Sequence, residues 1–154
     1  MATSAVPAAL SALVTILQSA PGLEGVRVSD GPPVTDLSDL DQLFIGWQPD
    51  TETAVSLDQD FAGAGARTRD ERFDIACYAE ARSGDTDIAA RRARVFELLG
   101  EVENALRASD AAPTAPTLNN TVLWAHLTVG NLTQIQREGS LAGVAFVVRC
   151  QARI

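Results

Sequence analysis

The single histidine, His126, limits the chemistry this chain can perform. One imidazole can act as a general base, but it cannot supply the several histidines of a multi-histidine metal site. A Ser–His–Asp triad needs only one, yet no G-x-S-x-G elbow is present to carry its nucleophile. His126 sits in an alternating run and reads as structural or partly exposed. The two cysteines, Cys77 and Cys150, are too few for a disulfide scaffold or a four-thiolate site. Both fall in strand-like segments and read as buried reduced thiols, with a Cys77–Cys150 disulfide as the lesser alternative. "GAGAR" (63–67) is Gly-rich, but no G-K-[ST] follows, so it reads as a loop rather than a phosphate cradle. The acids of "DLSDLDQ" lack the EF-hand spacing and its terminal Glu, and read as a solvated loop rather than a calcium site. "ARRAR" (90–94) is followed by Glu97, Glu101 and Glu103; this is a salt-bridged helix surface rather than a nucleic-acid contact. No catalytic residue, metal or cofactor is expected, and the chain does not read as an enzyme.

Charge carries more information. The net charge is −8, and all twelve basic residues are Arg. Between Arg27 and Arg67 there is no basic residue but there are eight acids: Asp30, Asp36, Asp39, Asp41, Asp50, Glu52, Asp58 and Asp60. The other twelve acids balance the twelve arginines. This segment therefore accounts for the whole net charge, and it argues against a protein that grips duplex DNA through phosphates. No apolar run approaches the roughly 18 residues of a membrane span, and the N-terminus has no basic secretory start. The expectation is one domain over 1–154, with no membrane partner.

The elements that must position these residues follow from periodicity. "SAVPAALSALVTILQSAPG" repeats apolar residues every three or four (Val6, Leu10, Leu13, Ile16, Leu17), with Ser4 to cap, Pro7 in the first turn and Pro21-Gly22 to stop it. "DQLFIGWQPD" alternates as a strand, with Leu43, Ile45 and Trp47 on one face and Phe44 on the other. "TAVSLDQDF" reads as a further strand. "RFDIACYAEA" places Phe73, Ile75, Cys77 and Ala79 on one face. A helix over 87–109, about 33 Å long, follows directly, with Asp85 or Thr86 as its cap. It buries Ile88, Val95, Leu99, Val102 and Leu106, widened by Phe96 and Leu98, and pairs Glu103 with Arg107. "DAAPTAPTLNN" reads as a linker. "TVLWAHLTV" puts Leu123, Ala125, Leu127 and Val129 inward and Trp124 and His126 outward. "GVAFVVRCQARI" alternates Val144, Phe146, Val148, Cys150 and Ala152 against Arg149, Gln151 and Arg153. Helices and strands do not alternate regularly. The fold class is α+β: a mostly antiparallel sheet flanked by an N-terminal helix and a long central helix. Of the two tryptophans, Trp47 reads as core and Trp124 as an interface anchor.

Taken together, the helix ending "SAPG", the strand "ERFDIACYAEARSGD", the helix "DIAARRARVFELLGEVENALR" and the closing strand with its F-x-V-x-C-x-A pattern resemble the tail-terminator (tail-completion) proteins of long-tailed bacteriophages and related gene-transfer particles. The resemblance lies in the order of elements and spans most of the chain; the acidic 30–60 segment is not matched residue by residue. It implies a structural virion protein, built in the host cytoplasm and located at the head-proximal end of the tail. Such a protein forms a homo-oligomeric ring, a hexamer in that family, that meets the tail tube protein below and the head-completion or neck protein above. DNA passes through without specific binding. The residues proposed for subunit or partner contacts are Asp36, Asp39, Asp41, Arg67, Arg69, Trp124 and His126. The acidic segment could line the channel, decorate the outer rim or dock a basic partner. Apart from the resemblance, the residues leave open a small bacterial α+β module that binds a ligand or peptide.

Overall fold

The alternation in "RFDIACYAEA" organises the molecule. The computed structural model describes residues 3–33, 41–65 and 67–154; the expectations placed on Asp36 and Asp39 lie outside them. In chain order the elements are helix α1 (Val6–Gln18), strands β1 (Arg27–Asp30), β2 (Asp41–Ile45), β3 (Val55–Phe61) and β4 (Arg69–Ser83), helix α2 (Ile88–Ala105), and strands β5 (Trp124–Gln136) and β6 (Ser140–Arg153). The sheet runs β1-β2-β4-β6-β5. β6 covers one edge of β4 from Asp70 to Ser83. The other edge is divided: β2 takes Cys77 to Ala81 and β3 takes Arg69 to Ile75. Every pairing is antiparallel except β1 with β2. The fold is α+β, as the periodicities predict.

One face of the sheet, here the front, is covered by both helices: α1 lies against β1 and β2, and α2 against β4, β6 and β5. Phe73, Ile75, Cys77, Ala79 and Ala81 of β4 meet Val144, Phe146, Val148, Cys150 and Ala152 of β6 on this face, all buried. Val95, Leu98, Leu99 and Val102 of α2 close over them. Cys150 stands opposite Phe73, four residues along β4 from Cys77. At about 3.3 Å per residue this separates the thiols by roughly 13 Å, too far for a disulfide. Both are free, and burial pushes each thiol up to about 12.

Several elements differ from their sequence reading. α2 is shorter than predicted, 18 residues or about 27 Å. Its cap is Asp87, whose carboxylate accepts the Ala90 N–H at 3.1 Å; Asp85 instead accepts the Asp87 N–H at 3.0 Å. Because the helix stops at Ala105, Arg107 lies beyond it and makes no ion pair with Glu103. Phe96 is 45 % exposed rather than core: at 100° per residue it stands well off the stripe through Val95, Leu99 and Val102. Trp47 leaves the Leu43–Ile45 face because Gly46, at φ +76°, turns the chain there. It packs instead with Phe44 (5.0 Å between centroids) and Tyr78 (5.9 Å) on the back of the sheet. The 110–120 segment is no slack linker. Ala115 and Leu118 are fully buried, and Leu118, Asn119 and Asn120 all adopt positive φ. Leu123, expected inward, is exposed.

The start of α1 is held from a distance. Ser4 Oγ accepts the Val6 N–H, but Ala5, at the cap position, has no capping side chain. The fully buried carboxyl group of Glu71 on β4 accepts the Ala5 N–H at 2.8 Å, satisfying one of the orphan donors of a helix N-terminus. Gln59 of β3 donates to the same carboxyl group and to the Thr3 carbonyl, and Arg69 donates to Gln59 Oε1 at 3.0 Å.

Two outcomes follow. Leu99→Ala, beneath α2, is expected to lower stability by about 2–5 kcal/mol in urea unfolding; a loss under about 1 kcal/mol would place this helix face elsewhere. Glu71→Ala is expected to cost about 1–3 kcal/mol by stranding the Ala5 amide, and hydrogen exchange should show the first turn of α1 opening before the β4–β6 ladder. Uniform loss of protection would contradict a local latch.

Candidate assembly surfaces

The residues proposed for contacts do not converge on one site. Asp41 begins β2, and its carboxylate takes the Arg94 Nε at 2.9 Å; Arg94 also reaches Glu97 at 3.1 Å. Burial works against the Arg94 charge, but these two carboxylates more than offset it and hold its pKa above the ordinary value. Asp41 is thus engaged within its own subunit, tying α2 to β2. Arg69 is engaged at the α1 latch. Arg67 is exposed in the loop before β4. Trp124 and His126 stack at 4.6 Å between ring centroids, on the back face of β5 at the far side of the sheet.

That back face has two regions. Near β2 it is apolar and closed: Phe44, Trp47 and Tyr78 pack together, with buried Gln42 and Glu80 beside them. Tyr78 lies over Gly143 of β6, where a Cβ would fall inside its ring. Burial, with Glu80 and Asp50 nearby, pushes the Tyr78 hydroxyl up to about 12. Burial also raises the Glu80 pKa, against the pull of Arg82, whose guanidinium lies 2.9 Å away. Near β3 and β5 the back face is open and charged. Arg149 pairs with Asp74 at 3.0 Å and Arg153 with Asp70 at 2.7 Å, each pair directly opposite across the β4–β6 ladder. Exposed pairs of this kind add little stability, about 0–1 kcal/mol each, but they fix what a partner would meet. Asp74 and Arg149, with Trp124, Ser56, Asp58 and Arg72, line a shallow depression of about 300 Å³.

Sequence reasoning missed the feature that dominates this surface. Beyond Leu127, β5 stays paired with β6 as far as Gln136, yet residues 128–138 are all exposed. Val129, Leu132 and Ile135 are large apolar side chains left in solvent there, as are Leu57 and Phe61 on β3. The signal was available: "WAHLTVGNLTQIQ" contains no charged residue. Of the eight clustered acids, Asp30, Asp50, Glu52, Asp58 and Asp60 are exposed. Among the described residues no group of His, Cys, Asp and Glu is placed to hold a metal ion, and no helix is long and apolar enough to cross a membrane.

No protein-family model and no curated protein matches the chain. Among solved structures, a chain of the virion of a native gene transfer agent particle is similar over 98 % of this chain and 100 % of that one, at 13 % identity and a TM-score of 0.46. A likeness of that size assigns no function.

The buried Glu80 yields a prediction. A raised folded-state pKa means the folded chain holds this proton more tightly than the unfolded chain. Its contribution is present below the ordinary Glu value, about 4.3, and is lost as pH rises through the folded value. Glu80→Gln is therefore expected to be more stable than the parent at pH 7, with the difference largely gone near pH 3.5, in urea titrations. A variant less stable at pH 7 would mean that the Arg82 pair outweighs the burial.

Proposed function

We propose that this chain is a structural subunit of a phage-type virion: a tail terminator, a single domain that forms a ring, a hexamer by resemblance, on the head-proximal end of the tail tube. The observation that carries this reading is the distribution of exposed apolar residues. Val129, Leu132 and Ile135 on the second half of β5, and Leu57 and Phe61 on β3, stand on the outermost strands of the sheet. Apolar surface of this kind marks contacts between proteins. The element order that gives the resemblance, from the "SAPG" helix through the strand–helix unit to the closing strand, is also the element order of the fold.

In this reading the tube protein meets one face of the ring, a neck or head-completion protein meets the other, and DNA passes without specific binding. Asp30, Asp50, Glu52, Asp58 and Asp60, all exposed, suit a channel or rim that repels phosphate. The test is electron microscopy of assembled particles. Density for this chain is expected at the head-proximal end of the tail; its absence from both ends of the tube would overturn the reading. Reversing Asp36 and Asp39 to Arg, while leaving Asp41 to its Arg94 pair, separates the roles of the acids. Slow or incomplete DNA release is expected if they line the channel. Failed joining would instead make them a docking surface, and normal infectivity would put them on the outer rim.

A further inference from the structure

Among the described residues the outer edge of β5 is a long open edge whose one protection of the usual kind is a bulge. Free edges are ordinarily blunted by charge, proline, shortness or a bulge, because unpaired N–H and C=O groups recruit other strands. β5 is thirteen residues long, has no charge and no proline over its length, and carries only a register shift between Val129 and Leu132. A partner strand is the physical complement of such an edge.

A second copy of the chain carries a strand that fits. Across the lower sheet the order is β3, β4, β6, β5, with each contact antiparallel. Strand directions therefore alternate, and β3 and β5, on opposite sides, run in opposite directions. A second copy set beside the first in the same orientation presents its β3 to β5 antiparallel, with the front faces continuous. The side chains match on both faces. On the front, Leu57 of β3 is level with Ala125 of β5 when the copies are unshifted, and a shift of four residues along the strands, about 13 Å, brings Leu57, 51 % exposed, opposite Val129, 46 % exposed. On the back, Asp58 and Asp60, which form no ion pair among the described residues, approach the side of the sheet that carries His126 and Arg149. Pairing β3 with a second β3 would instead bring these aspartates together, and like charges directly opposite are destabilising.

We propose that β5 of one copy pairs with β3 of the next, so that the sheet continues from subunit to subunit. The contact joins two different edges; it is heterologous, and it closes into a ring when the rotation per subunit allows. The inference rests on the structural-subunit reading for the identity of the partner, but not for the geometry.

Val129→Lys and Leu57→Lys, both at exposed positions that should leave the fold intact, test it. Self-association followed by sedimentation at rising protein concentration is expected, and each variant should weaken it at least about tenfold, or 1.4 kcal/mol. Introduced thiols test the pairing directly, since Cys77 and Cys150 are buried. Thr128→Cys mixed with Asp58→Cys (or Ser56→Cys, one pair along the same face) should give a disulfide dimer that neither gives alone, and a chain carrying both should give a ladder of covalent oligomers. A dimer from Thr128→Cys by itself, association untouched by either lysine, or no association at any concentration would overturn the proposal. If these results hold but the chain is missing from particles, the tail-terminator reading fails and the edge pairing stands.

Discussion

The antiparallel ladder between β4 and β6, from Asp70–Arg153 to Ser83–Ser140, is the constraint on which the other parts depend. Its register decides which residues face α2. With Phe73 opposite Cys150 and Cys77 opposite Phe146, the buried set Phe73, Ile75, Val144, Phe146 and Val148 falls on one face. A slip of one residue would expose that set and bury Asp70, Arg72, Asp74, Arg149 and Arg153. Nothing on α2 could compensate such a change, because the stripe through Val95, Leu99 and Val102 offers only apolar contacts. Register and helix docking are therefore settled together.

From this ladder the molecule becomes asymmetric. One edge of β4 is used entirely by β6. The other is divided between β2, which with β1 receives α1, and β3, which receives no helix of its own. The part of the sheet beneath the two helices is consequently a closed core. The part reached by β3 and by the far half of β5 has ladder bonds but little cover. Glu71 joins the two regions: it lies on the core face of β4 opposite Gln59 of β3, and from there it holds the Ala5 amide at the cap of α1. A buried carboxyl group is costly unless its hydrogen bonds are made, and here one comes from a helix terminus and another from a neighbouring strand.

The charges follow the same division. Arg94 and Asp41 are used internally to fasten α2 to β2. Asp70 and Asp74 are matched by arginines directly across the ladder. Among the described residues, the exposed acids of 30–60 without such partners lie on β3, on the end of β1 and in the turn after β2, which are parts the core does not need. A net negative charge concentrated there places no burden on the packed half of the protein, and it leaves the exposed edges with opposite character: β3 acidic, β5 neutral and apolar.

The sequence by itself determined the elements and their faces. The alternation of 73–79 and 144–152, the repeat of α1 and the stripe of α2 were all legible, because a period of two or of three to four residues is a local property that burial imposes on every strand and helix. The α+β class followed from the order of those periods. Tertiary structure alone decided the remainder. Trp47 changed faces at one positive-φ glycine, which no periodicity registers. "DAAPTAPTLNN" joined the core through the buried Ala115 and Leu118, and Asp41 became structural because α2 brought Arg94 to it. The contact candidates scattered for the same reason: residue type marks a side chain able to bind, but only the chain path decides whether a neighbour within the same subunit has already claimed it. The open edge of β5 is the converse case. Its lack of charge was written in the sequence, yet an uncharged strand is ordinary in the middle of a sheet. It acquires meaning only at an edge, and strand order is fixed by long-range pairing that no local pattern encodes.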